Sequence, residues 1–119
     1  LSTVLVVDDT IFMRHTITAI LEEAGFKVIG EAENGKQAIE QYQKLHPDVV
    51  TMDVTMPVMS GLEATKEIIK KDPNAKICIV TALGQQRLIL EALKNGAKDF
   101  ITKPFEREHL ETTIRQLIE

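Results

Sequence analysis

The sequence has no tryptophan, one tyrosine, one cysteine and no run of lysine and arginine. A lone cysteine cannot form an internal disulfide. Cys78 lies inside the apolar run Ile77–Val80, so it reads as a small core residue in a reducing compartment. The formal net charge is −4, and without a clustered basic face the chain lacks what displaces counterions from a nucleic acid. Direct binding to DNA or RNA is therefore not expected. No apolar stretch approaches the length of a bilayer span, and no charged-then-apolar leader opens the chain, so no membrane association is expected and the cytoplasm is the expected location. The first residue is Leu1 rather than Met, and the natural chain is expected to be longer. No linker, low-complexity segment or solenoid period interrupts the sequence.

What is present suffices for one domain spanning 1–119, since 119 residues with 44% apolar content can bury a core without staples. Val4-Leu5-Val6-Val7 is a continuous apolar run, the pattern of a strand covered on both faces, and it stops at Asp8-Asp9. From Met13, Ile17, Ile20, Leu21 and Ala24 recur at helical spacing, and Gly25 suits the residue after a helix end. The unit repeats four times. Val28-Ile29, a turn at Asn34-Gly35 and a helix with Ala38, Ile39, Tyr42 and Leu45 form the second. Val49 to Asp53 leads into the helix of Leu62, Thr65, Ile68 and Ile69. Ile77–Val80 leads into Leu88, Ile89, Ala92 and Leu93, and Phe100-Ile101 into Leu110, Thr113, Ile114, Leu117 and Ile118. Five strand–helix units with short connections predict an α/β fold: a five-stranded parallel sheet, doubly wound as (βα)5, flavodoxin-like, with strand order 2-1-3-4-5.

In such a sheet, ligands bind beyond the carboxyl ends of the strands, where the winding reverses. The residues found there are Asp8-Asp9, Asp53, Thr81-Ala82 and Lys103-Pro104. Each has a plain reading alone: Asp-Asp as a helix N-terminal pair, Thr81 as a strand end, Lys103 as a solvated charge. Taken together they point to chemistry. Three carboxylates at one mouth repel one another unless a cation lies among them, and a hard oxygen-seeking ion, Mg2+, answers that. A carboxylate beside such an ion can act as nucleophile and hold a phosphoryl group as an acyl phosphate. Asp53 is the expected acceptor. The Lys103 ammonium and the Thr81 hydroxyl are the expected partners of the phosphoryl oxygens. His15, His46 and His109 share no ligand spacing and read as surface or capping residues, and Met52, Met56 and Met59 as packing around the turn.

These stretches, Val6-Val7-Asp8-Asp9, Met52-Asp53-Val54-Thr55-Met56-Pro57 with Gly61, Thr81-Ala82, Gly96-Ala97-Lys98-Asp99-Phe100 and Lys103-Pro104-Phe105, resemble the receiver domain of two-component response regulators over nearly the whole chain. More narrowly, Phe12-Met13-Arg14, Gly84-Gln85-Gln86 and the run Gly96 to Phe105 are similar to the single-domain chemotaxis regulators of the Bacillus and Thermotoga branch. The resemblance implies a phosphorelay protein, not an enzyme in its own right, that accepts a phosphoryl group on Asp53 from a sensor histidine kinase of the chemotaxis CheA type. It implies that Asp9, Asp53 and the Thr55 backbone carbonyl ligate Mg2+, with Asp8 acting largely through water, and that Pro104 follows a cis bond. It also implies a switch made of Thr81 and Phe100.

The same resemblance implies that the fourth helix, fifth strand and fifth helix, with Arg87, Glu91, Lys94, Asn95, Lys98, Phe100, Arg107 and His109, bind a partner such as the flagellar motor switch protein. Thr55 and Leu83, neither an acid nor an amide, flank the phosphoryl group in the family. Slow self-hydrolysis, a separate phosphatase and a monomeric state are the matching expectations. Two alternatives are a receiver excised from a longer regulator such as a transcription factor, and a flavodoxin-like electron carrier. The carrier fits poorly: two acids follow the first strand where a glycine- and hydroxyl-rich phosphate loop is wanted, and one Tyr with no Trp leaves little to stack on a flavin.

Overall fold

The computed structural model describes residues 1–119. Five strands and five helices alternate: β1 Thr3–Val7, α1 Ile11–Glu23, β2 Lys27–Ala32, α2 Gly35–Leu45, β3 Val49–Met52, α3 Gly61–Lys71, β4 Ile77–Ala82, α4 Gln86–Lys94, β5 Asp99–Lys103 and α5 Arg107–Ile118. The strands form one parallel sheet in the order β2-β1-β3-β4-β5, as the five repeated units predict. The order reverses direction between β1 and β3, so the tips of those two strands flank the point where a crevice opens.

Alternation along the strands sorts the core into two layers. Leu5, Val7, Val50, Met52, Ile77 and Ile79 pack with Ala38, Tyr42, Ala64, Ile68, Ile89 and Ala92 from α2, α3 and α4. Val4, Val6, Val49, Cys78, Val80 and Ile101 pack on the other side with Ile17, Ile20, Leu21, Leu110 and Ile114 from α1 and α5. Cys78 is buried and free, and burial pushes its thiol pKa up. Each fully buried aliphatic side chain contributes about 1.5–3 kcal/mol against leaving it in water. Met52 is buried and Met56 and Met59 pack against the first layer, as expected of side chains filling space around a turn.

Three boundaries differ from the sequence reading. Asn34-Gly35 does not form a free turn: Asn34 caps α2 by accepting from the Gln37 amide at 2.9 Å, and Gly35 is the first helical residue. Gly35 donates to the Met59 carbonyl at 2.8 Å, and a Cβ there would lie 2.6 Å from the Ser60 carbonyl oxygen, so the pair serves a close backbone crossing. β2 runs on through polar Glu31 because it is an edge strand, with a register shift opposite Val4/Leu5. β3 ends at Met52, which leaves Asp53 just beyond the ladder. The predicted stops elsewhere are observed, with Gly25 and Gly96 at positive φ after α1 and α4 and His46 left-handed at the end of α2.

Candidate functional site

The strand tips bring Asp8, Asp9, Asp53, Thr81 and Lys103 to one end of the sheet. A carboxylate oxygen from each of Asp8, Asp9 and Asp53 lies within 4.8 Å of the others. The Lys103 ammonium donates to Asp8 Oδ2 at 2.7 Å and stands 3.6 Å from Asp53 Oδ2. It arrives there because Lys103 closes β5 opposite Ala82, and the following Lys103–Pro104 bond is cis. Thr81 is buried one residue before the end of β4, paired with Thr102.

Asp53 is fixed at both its backbone and its side chain. Its amide donates to the Val7 carbonyl at 3.0 Å, extending the β1–β3 ladder by one bond, and its Oδ1 accepts from the Val54 amide at 2.8 Å. Gly61, the first residue of α3, donates to the Val54 carbonyl at 2.7 Å and so closes the loop from 53 to 61. Within that loop Val58 holds φ 69°, a conformation that a β-branched residue adopts only under constraint from its neighbours.

Asp8 is committed on every side. Its Oδ1 accepts from both the amide and the hydroxyl of Thr10 at 3.0 Å, its Oδ2 accepts from Lys103, and its backbone carbonyl accepts from Arg14 Nη1 at 2.8 Å. Thr10 meanwhile caps α1 by accepting from the Met13 amide. Asp9 is exposed, and no protein hydrogen bond holds its carboxylate. Of the two acids, then, Asp9 is the one free to face a ligand directly.

Burial raises the Asp53 pKa to about 6; Lys103 pulls it down, and Asp8 and Asp9 push it up. Because the folded-state value lies above the unfolded one, the contribution to stability is fully present below the unfolded value. It is lost as pH rises through about 6. At pH 8 the ionised side chain therefore opposes folding. Asp53→Asn is expected to be more stable than wild type there by about 1–3 kcal/mol in the absence of divalent ions, a gap that shrinks as pH falls below about 6 and closes at about pH 4. Denaturation curves at the two pH values measure it; equal stability at pH 8 would contradict the burial cost.

The other predicted residues are spread more widely. Thr55 is exposed two residues beyond Asp53. Phe100 pairs with Ile79 and is 42% exposed, so its ring is presented to solvent, on the side of the sheet that α4 covers. His15, His46 and His109 are exposed and lie outside the cluster. Sequence reasoning missed Thr10, which bonds the Asp8 carboxylate from two residues on, and Arg14 and Glu31, where Arg14 joins the Asp8 carbonyl to Glu31 in β2. Arg14 was visible only as part of the Phe12-Met13-Arg14 similarity.

Three clustered carboxylates, two of them within reach of Lys103, offer hard oxygen donors to a divalent cation, with no soft or aromatic ligand among them. That donor set fits Mg2+. Exposed apolar residues follow the site residues in the chain: Ile11 and Phe12 after Asp9, Val58 after Asp53, and Leu83 after Thr81.

Comparison with known proteins agrees with this geometry. Residues 4–115 match the response regulator receiver domain. The chemotaxis protein CheY of Thermotoga maritima is 57% identical over 103 residues, covering 87% of this chain and 86% of that protein. The chemotaxis protein CheY of Bacillus subtilis is 48% identical over 115 residues, covering 97% and 96%. Among solved structures, a chain of the CheX–CheY–BeF3–Mg2+ complex from Borrelia burgdorferi superposes with a TM-score of 0.94 at 34% identity, covering 99% of this chain and 90% of that one.

Proposed function

The chain belongs to the response regulator receiver domain family, and on that premise we propose that it is a phosphorylation-controlled chemotaxis switch whose acceptor is Asp53. Similarity to CheY proteins along most of their length supports the chemotaxis assignment. The observation that carries the acceptor role is the meeting of Asp8, Asp9 and Asp53 at the sheet's switch point, with the Lys103 ammonium on Asp8 and close to Asp53.

Asp53 Oδ attacks the phosphorus of a phosphohistidine or small acyl phosphate. The new P–O bond forms as the bond from phosphorus to the donor nitrogen or oxygen breaks, and the leaving group carries away that electron pair. Lys103, already 3.6 Å from Asp53, offsets charge on the transferred oxygens, and the Thr81 hydroxyl donates to one of them. Asp9, Asp53 and the Thr55 carbonyl would hold Mg2+, with Asp8 reaching it through water because its oxygens are occupied by Thr10 and Lys103. Bound there, the ion neutralises the carboxylates and the incoming phosphoryl group. Incubation with acetyl phosphate, followed by intact-mass measurement, tests this reading: an adduct that forms with Mg2+ and not with EDTA is expected, and adduct formation indifferent to Mg2+ would sink it.

Output follows from Thr81 and Phe100. When the hydroxyl is drawn to the phosphoryl group, the half-exposed ring turns into the vacated space and changes the face formed by α4, β5 and α5. That face presents exposed Leu90 beside a depression of about 490 Å3 lined by Arg87, Leu90, Glu91, Leu93 and Lys94. A flagellar motor switch protein is the proposed occupant. Replacing both Lys94 and Lys98 with Glu should weaken phosphorylation-dependent binding about tenfold or more, measured by pull-down titration; unchanged binding would move the output elsewhere. The phosphodonor, a histidine kinase of the CheA type, would approach over Ile11, Phe12, Val58 and Leu83. Neither Thr55 nor Leu83 is an acid or amide of the kind that readily orients an attacking water, so reset is assigned to a separate phosphatase, and the CheX complex of a structural neighbour supports a dedicated partner.

A further inference from the structure

Arg14 lies in the first turn of α1 and touches neither Asp53 nor any carboxylate of the cluster, yet it is tied into the site from behind. Its Nη1 donates to the Asp8 carbonyl at 2.8 Å and its Nε to Glu31 Oε1 at 2.8 Å. The guanidinium is largely buried, with the Arg14 side chain 12% exposed. Glu31 sits in β2 opposite Val6, and the Asp8 amide donates to Ala32 next to it at 3.0 Å. One planar guanidinium thus spans α1, the end of β1 and the edge strand.

The bond to the Asp8 carbonyl fixes the peptide plane joining Asp8 to Asp9. That plane sets where the Asp9 side chain leaves the backbone, and no other protein contact orients the Asp9 carboxylate. The Thr10 amide bond to Asp8 Oδ1 holds the peptide after Asp9, and Lys103 holds the Asp8 side chain, so Arg14 is the side chain that acts on the Asp8–Asp9 peptide. We propose that Arg14, anchored by Glu31, is a positioning residue for divalent-cation binding: it aims Asp9 at the ion by clamping the Asp8–Asp9 peptide. This rests on the reading that Asp9 and Asp53 hold Mg2+, and it adds a residue outside the strand tips.

Titration calorimetry with MgCl2 alone, without phosphodonor, tests it on the intact chain. Wild type should bind, and Arg14→Met should bind about tenfold more weakly, the range typical when the support of a metal ligand is removed. Arg14→Lys, which can reach the carbonyl or Glu31 but not both, should recover part of the loss. In phosphorylation assays the Mg2+ concentration for half-maximal rate should move with the calorimetric affinity, while the rate at saturating Mg2+ changes far less. A merely structural role would instead lower the melting temperature in EDTA and leave the isotherm where it was. If Arg14→Met does not fold, Glu31→Ala gives the same test with a smaller shift in the same direction. Isotherms that superpose on wild type for the folded variants would overturn the proposal. Absence of Mg2+ binding by wild type would instead remove the underlying metal reading, and this inference with it.

Discussion

Lys103→Met is expected to slow phosphoryl uptake at Asp53 by about 100-fold or more, the scale seen when one preorganised donor is removed from a developing negative charge. The side chain is 2.7 Å from Asp8 and 3.6 Å from Asp53, so its removal deprives two carboxylates of their cation at once. Asp8 is 1% exposed, and leaving that charge without its partner should cost about 3 kcal/mol of stability without divalent ions. Mg2+ should restore part of the stability, because it neutralises the same carboxylates. It should not restore the rate, because the phosphoryl oxygens still lack the ammonium. A variant that recovers both with Mg2+ would show that Lys103 serves only the resting site.

Gly61→Ala is expected to lose about 3 kcal/mol or more, for a reason confined to space. A Cβ at Gly61 would overlap the Asp53 backbone carbonyl and press on Met52 Cγ at 3.0 Å. Neither neighbour can yield cheaply, since Met52 is fully buried and the Asp53 backbone is bonded to β1. Relief must come from displacing the tip of β3, so phosphoryl uptake should fall as well. Gly84→Ala is the contrast: its Cβ would meet nothing within 4 Å, but the residue sits at φ +86°, and a loss of about 1 kcal/mol is expected. Urea denaturation of the pair, with slopes compared to ensure the same transition, separates crowding from conformational strain. Equal losses would contradict the packing argument.

The sheet was legible because its central strands are covered on both faces and so read as unbroken apolar runs, Val4–Val7 and Ile77–Val80 above all. Where such a run stops at an acid, the strand tip is marked in the sequence itself. That made Asp8, Asp9 and Asp53 visible, and a parallel sheet with reversed winding brings their strands side by side. Other features had an ambiguous local signal or none. Asn-Gly between two periodic segments suits a tight turn, but Asn34 followed three residues later by Gln37 equally marks a helix start, and the crossing of Gly35 against Met59 and Ser60 is consistent with the second. The Arg14 bonds to Asp8 and Glu31, and the Tyr42 hydroxyl bond to Asp72 at 2.7 Å, join residues with no shared period. Such contacts are decided by tertiary packing alone.

Signalling through this domain requires a covalent bond between phosphorus and one carboxylate, that of Asp53. Borohydride reduces an aspartyl phosphate to homoserine, so treatment of the Mg2+ and acetyl phosphate reaction with borohydride, followed by peptide sequencing, reads the acceptor position directly. Homoserine at position 53, absent when Mg2+ is withheld, is the predicted result. Homoserine at position 8 or 9, or unmodified aspartate at all three positions alongside a phosphoryl adduct elsewhere in the chain, would contradict it.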